Sequence, residues 1–546
     1  MRIKTLLPFL VCSILFTVIA KSQSPSILWR FNTHDESFGN AAMAGLKGDG
    51  SLQIAFSCYW GDSNIYVLNA TDGSLVWKQN MGGCNDAAPI IYDIDGKGKP
   101  DVILASSCNP VLTCFTGATG VIKWQTPFGG TDSPPSIADI DGDGKPEILT
   151  GDFEGNLNCF TADSGKLKWK VSVDSNAAIE AAPALVDING DGHPDIIVCT
   201  WAYGGSGDST AVYAYDGMTH KLLWKNPLPT DVIYHGAAFA DVTEDGTTDL
   251  AITSYDGNVY LLKGSDGSLE WNYPTPGLAY IADPVVIGDI NNDGHLELVY
   301  INGDGEVDAL DRFGNFKWSF MMPAGQSSFC GASLADVNND DTLDVIFAGS
   351  DGSLYALNGS RGNLLWSIDL RADYGDSLYE FEHGAIINSF KQDDTLDIFI
   401  AGGHTYYPNI DSDFGRAYAV KVGLGKTSWT MFQHDYTRSN CVCNPAPNAV
   451  NELRNNTEEL RAYPNPFTDN INFNISLTAD MPVSVKIYSA QGTVVKTFAD
   501  KKLSTGNYQF TWNGTNDGGS KLAPGVYYCR IIAGSKTSVR KVVLMK

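Results

Sequence analysis

Three observations predict an all-β chain dominated by a ring of repeated four-stranded sheets. Tryptophan recurs every 45 to 55 residues, at Trp77, Trp124, Trp169, Trp224, Trp271, Trp318 and Trp366. Each closes a similar phrase, as in Asp72-Gly73-Ser74-Leu75-Val76-Trp77 and Ser164-Gly165-Lys166-Leu167-Lys168-Trp169. Between the tryptophans, short β-rich runs alternate with Gly and Asp turns, and no comparably long stretch has helical periodicity. A period of this size in an all-β pattern points to propeller blades of four strands. A chain of 546 residues is also too long for one compact core unless repeats segment it.

In one unit, Ala182 to Val186 leads into an acidic loop, Asp187 to Asp195. Ile196 to Cys199 leads out, Thr210 to Tyr215 follows, and a turn at Asp216-Gly217 gives on to Lys221 to Trp224. Eight such units fall near residues 40–77, 87–124, 133–169, 181–224, 236–271, 282–318, 331–366 and 384–429. Trp29 sits on an extra strand before the first, placed to complete the last unit and close the ring, which removes free sheet edges. The reading is an eight-bladed β-propeller, with seven blades as the alternative. The tryptophans serve as packing between adjacent blades.

Residues 1–22 read as a secretory signal: Arg2 and Lys4, then the apolar stretch Leu6 to Ile19, then the small-residue site Val18-Ile19-Ala20. No later segment is long and apolar enough to span a bilayer. The chain carries a formal net charge of −26, although residues 461–546 hold eleven Lys and Arg against four Asp. An acidic body excludes nucleic acid and anionic membrane as natural partners. Ten cysteines follow the signal without a repeating spacing or a CxxC pattern; the two readings are a Cys108–Cys114 pair, which six residues could close in a hairpin, and mostly buried free thiols.

The acidic loops have the spacing of a hard-cation site. Side-chain oxygens at loop positions 1, 3, 5 and 9 and a carbonyl at position 7 suit six to eight oxygen ligands, and Gly at position 6 turns the chain sharply. The full set occurs at Asp139, Asp141, Asp143 and Glu147 with Lys145 at position 7, and at Asp187, Asn189, Asp191 and Asp195 with His193. It recurs at Asp289, Asn291, Asp293 and Glu297 with His295, and at Asp336, Asn338, Asp340 and Asp344 with Thr342, where Asp341 replaces the glycine. Asp241, Asp245 and Asp249 form a fifth, with Thr243 or a water at position 3. In the second unit Lys97 stands at position 5 of Asp93, Asp95 and Asp101, where its ammonium can replace a cation. The first unit (Gly45, Lys47, Asp49, Gln53) and the eighth (Ser389, Lys391, Asp393, Asp397) are degenerate. Four or five structural Ca²⁺ ions are expected.

Loops such as Asp187-Ile188-Asn189-Gly190-Asp191-Gly192-His193-Pro194-Asp195 resemble the FG-GAP/VCBS repeats of integrin α-subunit propellers and of many bacterial surface proteins. The Gly-x-Leu-x-Trp phrases resemble the quinoprotein propeller repeat. The resemblance covers residues 23–440 and implies that the ions hold the blades together rather than perform chemistry.

Residues 441–460 read as a Pro- and Asn-rich linker. Strands at Ile471 to Ile475, Val483 to Tyr488, Thr493 to Phe498, Tyr508 to Trp512, Val526 to Ile532 and Ser538 to Met545 then suggest a small Ig-like β-sandwich. The opening Tyr463-Pro464-Asn465-Pro466-Phe467, the segment Gly525-Val526-Tyr527-Tyr528 and the final Lys541 to Lys546 make residues 461–546 resemble the type IX secretion sorting domain of Bacteroidetes-type bacteria. That resemblance implies passage across the outer membrane to the cell surface or the medium, with the type IX machinery as a partner.

Two functions fit these features. The first is a non-catalytic binding or adhesion module for a glycan or protein. Its contact loops would be those that break the repeat: Trp201 to Asp208, Arg371 to His383 and His404 to Phe414. The alternative is a polysaccharide lyase, with His235, His383, Glu380, Glu382 and Arg371 as candidate base and cation near the channel. A quinoprotein dehydrogenase is disfavoured, since there is no adjacent cysteine pair, and His434 reads as part of a closing strand.

Overall fold

The computed structural model describes residues 24–202, 210–323, 325–393, 395–406 and 409–429, and then 461–463, 467–468, 470–477, 481–489, 494–523, 525–533 and 536–545. The chain divides into two compact units, Met1–Val450 and Asn451–Lys546. The signal segment, the linker, Cys441, Cys443 and His434 lie outside the described residues.

The repeat folds as antiparallel meanders. In one, Ser136–Ala138, Glu147–Gly151, Asn156–Thr161 and Leu167–Ser172 pair in that order, with Ile137 opposite Ile148, Leu149 opposite Cys159 and Cys159 opposite Trp169. Among the described residues eight sheets follow this plan. The second strand of each is an apolar run, and in seven sheets it is buried along its whole length, because neighbouring sheets cover both of its faces. The fourth strand alternates between exposed and covered positions, as in Leu75–Asn80. Apolar clusters fill the space between each sheet and the next, and the last packs on the first through Trp29, Phe56, Ile386 and Phe399.

The tryptophans make those junctions. The register slips at the same point before each, for example between Cys159 and Phe160 and between Leu261 and Leu262. Such a bulge re-aims the side chain. At six of the eight junctions, all but those of Trp169 and Trp366, the indole then lies against a glycine of the next sheet and donates its Nε1–H to a main-chain carbonyl there. Trp77 donates to Gly117 at 2.6 Å, Trp124 to Ala162 at 3.0 Å, Trp224 to Gly264 at 2.8 Å and Trp318 to Gly359 at 2.6 Å. Gly267 has φ +70°, and a Cβ there would meet the Trp224 ring at 2.5 Å. Under the third sheet's Trp169 the same place is taken by His220, at φ 57° with its ring 4.2 Å away.

Trp29 occupies the extra strand as expected: Ser26–Thr33 is the fourth strand of the sheet made by Ile386–Asn388, Thr395–His404 and Phe414–Leu424. The eighth unit therefore does not end at Trp429. Lys426–Trp429 pairs instead with Ser333–Asp336 of the seventh sheet, because the place it would fill is already taken by the N-terminal strand. The expected cysteine pair is also corrected. Cys84 is bonded to Cys108 with Cα atoms 5.0 Å apart, whereas Cys114 is buried as a free thiol between sheets on Val111–Thr116.

In the second unit, Arg461–Tyr463, Ile471–Leu477 and Gly506–Trp512 form one sheet, and Val494–Leu503, Met481–Ser489, Gly525–Ala533 and Lys536–Leu544 form another. Phe473 and Trp512 of the first and Val485, Ile487 and Cys529 of the second share one core, which makes the Ig-like sandwich.

Gly267→Ala should cost about 2–4 kcal/mol of stability in urea denaturation, from the positive φ and from the displaced Trp224 ring. Gly375→Ala, at φ +91° with open space around it, should cost only about 1–2 kcal/mol. Equal losses would show that the indole does not need the bare backbone.

Candidate functional site

Each innermost strand has three or four residues, so its two ends lie about 10 Å apart and open on opposite ends of the channel. One end carries the acidic loops and the other surrounds a cavity.

The acidic loops are organised by their own carboxylates. The position-1 carboxylate accepts the position-6 N–H: Gly144 donates to Asp139 at 3.0 Å, Gly192 to Asp187 at 2.9 Å, Gly246 to Asp241 at 3.1 Å, Gly294 to Asp289 at 2.9 Å and Asp341 to Asp336 at 3.0 Å. Asp341 adopts the glycine-like φ of 65°. The position-5 carboxylates Asp143, Asp191, Asp245, Asp293 and Asp340 accept from Lys145, His193, Thr247, His295 and Thr342. The position-9 carboxylates Glu147, Asp195, Glu297 and Asp344 accept from Ile140, Ile188, Ile290 and Val337. Thr243 donates its hydroxyl to Asp249 at 3.0 Å, so its hydrogen points at a carboxylate.

Some oxygens remain for a cation. Asp139 Oδ1, Asp249 Oδ1 and Asn338 Oδ1 are buried without a hydrogen-bond partner. Asp139, Asp141 and Glu147 bring one ligand atom each within 4.8 Å of one another, the tightest match to the expected set. The donor chemistry of these loops fits a hard divalent cation. Burial pushes Asp195 up to about 6 and Asp344 to about 8, a strain that such a cation would relieve. At three of the loops Asn189, Asn291 and Asn338 turn their amide nitrogens to Asp195, Glu297 and Asp344.

Lysines unsuspected from the loop spacing also reach these carboxylates. Lys168, the bulged residue before Trp169, lies 2.6 Å from Asp141 and 2.7 Å from Glu147. Lys123 and Lys317, at the same bulge, pair with Asp101 at 2.7 Å and Glu297 at 2.8 Å. Lys97 pairs with Asp95 at 2.7 Å, in line with its expected role as a built-in cation. Side chains at position 7 reach adjacent loops: His295 contacts Glu244, and a Cβ on Gly142 would meet the His193 ring at 2.7 Å.

The other end of the channel holds a cavity of about 250 Å³ whose lining includes Phe38, Tyr59, Asp86, Asp132, Glu180, Tyr234, Phe329 and Glu382. Seven of these share one repeat position, four residues before the inner strand, and only Tyr59 comes from elsewhere. The sheets in order supply Phe38, Asp86, Asp132, Glu180, Tyr234, Ala282, Phe329 and Glu382 there. Sequence reasoning missed this ring; its signal is an acid three residues before proline in Asp86-Ala87-Ala88-Pro89, Asp132-Ser133-Pro134-Pro135 and Glu180-Ala181-Ala182-Pro183. Burial pushes Glu180 up to about 8 and Glu382 to about 7, and burial with the adjacent Asp132 raises Asp86 well above the carboxylate range.

The lyase candidates do not assemble. His235 hydrogen-bonds the Phe329 carbonyl at 2.9 Å, and burial pulls it down to about 4, so the ring is neutral. His383 is buried beside the Gly384 carbonyl, and Arg371 donates to the carbonyls of Tyr379 and Ser350. Glu380 pairs with His404 at 2.9 Å, so of these candidates only His235 and Glu382 line the cavity, and His235 is held by a main-chain carbonyl. Of the expected contact loops, Trp201 faces Tyr234 at 5.7 Å and residues 203–209 lie outside the described residues. Residues 371–383 and 404–414 pack on each other, with Tyr374 stacked on Tyr379 at 4.9 Å and on Phe414 at 5.0 Å.

Comparison with known proteins supports this architecture. Residues 93–150 and 139–198 match the FG-GAP-like repeat, residues 207–442 match the family described as outer membrane protein assembly factor BamB, and residues 465–536 match the FlgD Ig-like domain. The chain is 24% identical over 273 residues to tetrathionate hydrolase of Acidithiobacillus ferrooxidans, covering 48% of this chain and 50% of that one. It is 26% identical over 294 residues to outer membrane protein assembly factor BamB of Burkholderia pseudomallei, covering 51% and 65%. It thus spans about half the length of the first and under two thirds of the second. Among solved structures, Sqt1 of Saccharomyces cerevisiae aligns with TM-score 0.53 at 12% identity, covering 73% of this chain and 100% of that one. A europium-containing methanol dehydrogenase aligns with TM-score 0.54 at 11% identity, covering 73% and 93%. These last two show the fold alone. Among the described residues no helix is long and apolar enough to cross a membrane.

The buried carboxyls set a pH dependence. Burial raises Glu36, Glu180 and Asp283 to about 8, so the folded chain holds protons that the unfolded chain has released. Their stabilisation is full below the ordinary carboxylate range and is lost as pH rises toward 8. The thermal midpoint in chelator should therefore fall between pH 6.5, above the range where His235 opposes the trend, and pH 8.5. Glu180→Gln should flatten that slope; a midpoint that rises over the same interval would refute the assignment.

Proposed function

We propose that the protein is an eight-bladed, calcium-stabilised propeller that acts as a non-catalytic binding module for a protein or glycan, with the channel mouth as its contact surface. The observation that carries this reading is the mouth itself, where successive sheets contribute acids and aromatics at one repeat position while both candidate histidines bond to main-chain carbonyls. The match to a family named for outer membrane protein assembly supports a protein ligand over a glycan. Calcium has a supporting role, since the orphaned oxygens of Asp139, Asp249 and Asn338 lie away from the mouth.

The full-length chain, purified with CaCl₂, should bind a component of a protein or glycan array and release no unsaturated product from uronate polysaccharides. Chelation should lower its thermal midpoint, Ca²⁺ titration should return four or five sites, and Asp139→Asn should remove one. Unsaturated product would make it a lyase, and a midpoint indifferent to chelator would remove calcium from the account.

Export through residues 461–546 to the cell surface or medium, by type IX secretion, completes the reading. Its support is the Tyr463 to Phe467 opening and the basic charge of this unit. In a bacterium with that machinery, a chain ending at residue 460 should stay in the periplasm; its undiminished appearance in the medium would overturn the role.

A further inference from the structure

We propose that the cavity at the channel mouth receives a single organic cation, an alkylammonium or guanidinium group carried by the ligand. The proposal rests on the binding reading above and narrows it to a ligand chemistry.

The ring of positions four residues before the inner strands is divided by chemistry. Three successive sheets supply Asp86, Asp132 and Glu180, and Glu382 adds a fourth carboxyl on the other side of Phe38. Phe38, Tyr59, Tyr234 and Phe329 form the walls between them, with Phe38 edge-on to Tyr59 at 4.7 Å and Tyr234 edge-on to Phe329 at 5.0 Å. Carboxylates beside aromatic faces are what a desolvated cation selects, by charge and by the ring quadrupole.

These acids lack the partners found elsewhere in the chain. Glu180 is 8% exposed and makes no hydrogen bond or ion pair. Asp86 Oδ1 and Asp132 Oδ1 are buried and meet no N–H or hydroxyl among the described residues; the two carboxyls face each other, with no cationic side chain between them. Among the described residues no Lys or Arg lines the cavity, whereas the acidic loops draw in Lys123, Lys168 and Lys317. Leaving buried carboxyls unpaired is costly, and a ligand cation removes that cost.

Two observations shape the cation. Among the described residues, three metal-capable side chains converge within 4.8 Å only at Asp139, Asp141 and Glu147, and the mouth carboxyls form no such cluster. A cavity of about 250 Å³ lies below the size of drug-like ligand sites and suits one side-chain-sized group. The site is also fixed in advance: the Cys84–Cys108 disulfide joins the segment leading to Asp86 to the one carrying Ser107, whose hydroxyl donates to Asp86 at 3.2 Å.

The test is calorimetric titration of the full-length protein with N-acetyl-arginine amide, N-acetyl-lysine amide and the neutral N-acetyl-citrulline amide. At least one cationic probe should bind tenfold or more tightly than citrulline amide. Asp132→Asn and Glu180→Gln should each weaken it tenfold or more while circular dichroism stays unchanged, and Asp266→Asn, an exposed acid on another loop, should leave it alone. Equal binding of the citrulline probe, no binding to folded protein, or displacement of the probe by CaCl₂ that Asp132→Asn abolishes would each overturn the proposal, the last by making the mouth a metal site. Array binding that survives both mouth substitutions would leave the binding module standing and reject the cation pocket alone.

Discussion

The contact on which the rest depends is the indole of one sheet laid under a bare glycine backbone of the next. It removes a large apolar ring from water and satisfies its single N–H in the same step. At six junctions the ring approaches where no Cβ stands, and at Trp169 the side chain of His220, at positive φ, takes that place instead. Repetition of that junction turns the chain into a ring, and Ser26–Thr33 closes it by supplying the last sheet's outer strand from the N-terminal end. Chain ends and ring closure thereby become one event, so the first and last sheets cannot form independently.

The bulge that aims each tryptophan has a second effect. It places the preceding residue over the acidic loop of the same sheet, and where that residue is lysine it becomes a tethered counter-charge. Some loops thus balance their carboxylates with an ammonium, and the sheets differ in whether they have one. In the second sheet Lys97 and Lys123 both serve, whereas in the seventh the corresponding residue is Leu365 and Asp344 has no such partner.

The fold was legible because its determinant repeats: tryptophan, glycine and aspartate recur at one spacing, and the inner apolar runs follow. The strand of Trp29 was placed correctly by asking what could close the ring. Trp429 misled because a similar phrase can pair elsewhere once its place is filled. Cys108 and Cys114 looked close in sequence, but Cys114 points between sheets while Cys84 approaches across the loops, a contact that spacing cannot report. The loop carboxylates that hold the turns were readable because all of them lie within nine residues. The mouth was hidden because it takes one residue per repeat, and acid, phenyl and phenol alternate there without a common identity.

The two ends of the channel show that acidity alone does not mark a binding site. In the loops, carboxylates accept the N–H groups of their own turn, so much of their charge is spent on holding backbone. At the mouth, among the described residues, Glu180 and the inner oxygens of Asp86 and Asp132 hold no backbone N–H. A group that stabilises its own loop is explained by folding, whereas one left buried and unpaired costs free energy in the free protein. In the free protein protonation offsets part of that cost, and the mouth is where a ligand cation can replace the proton.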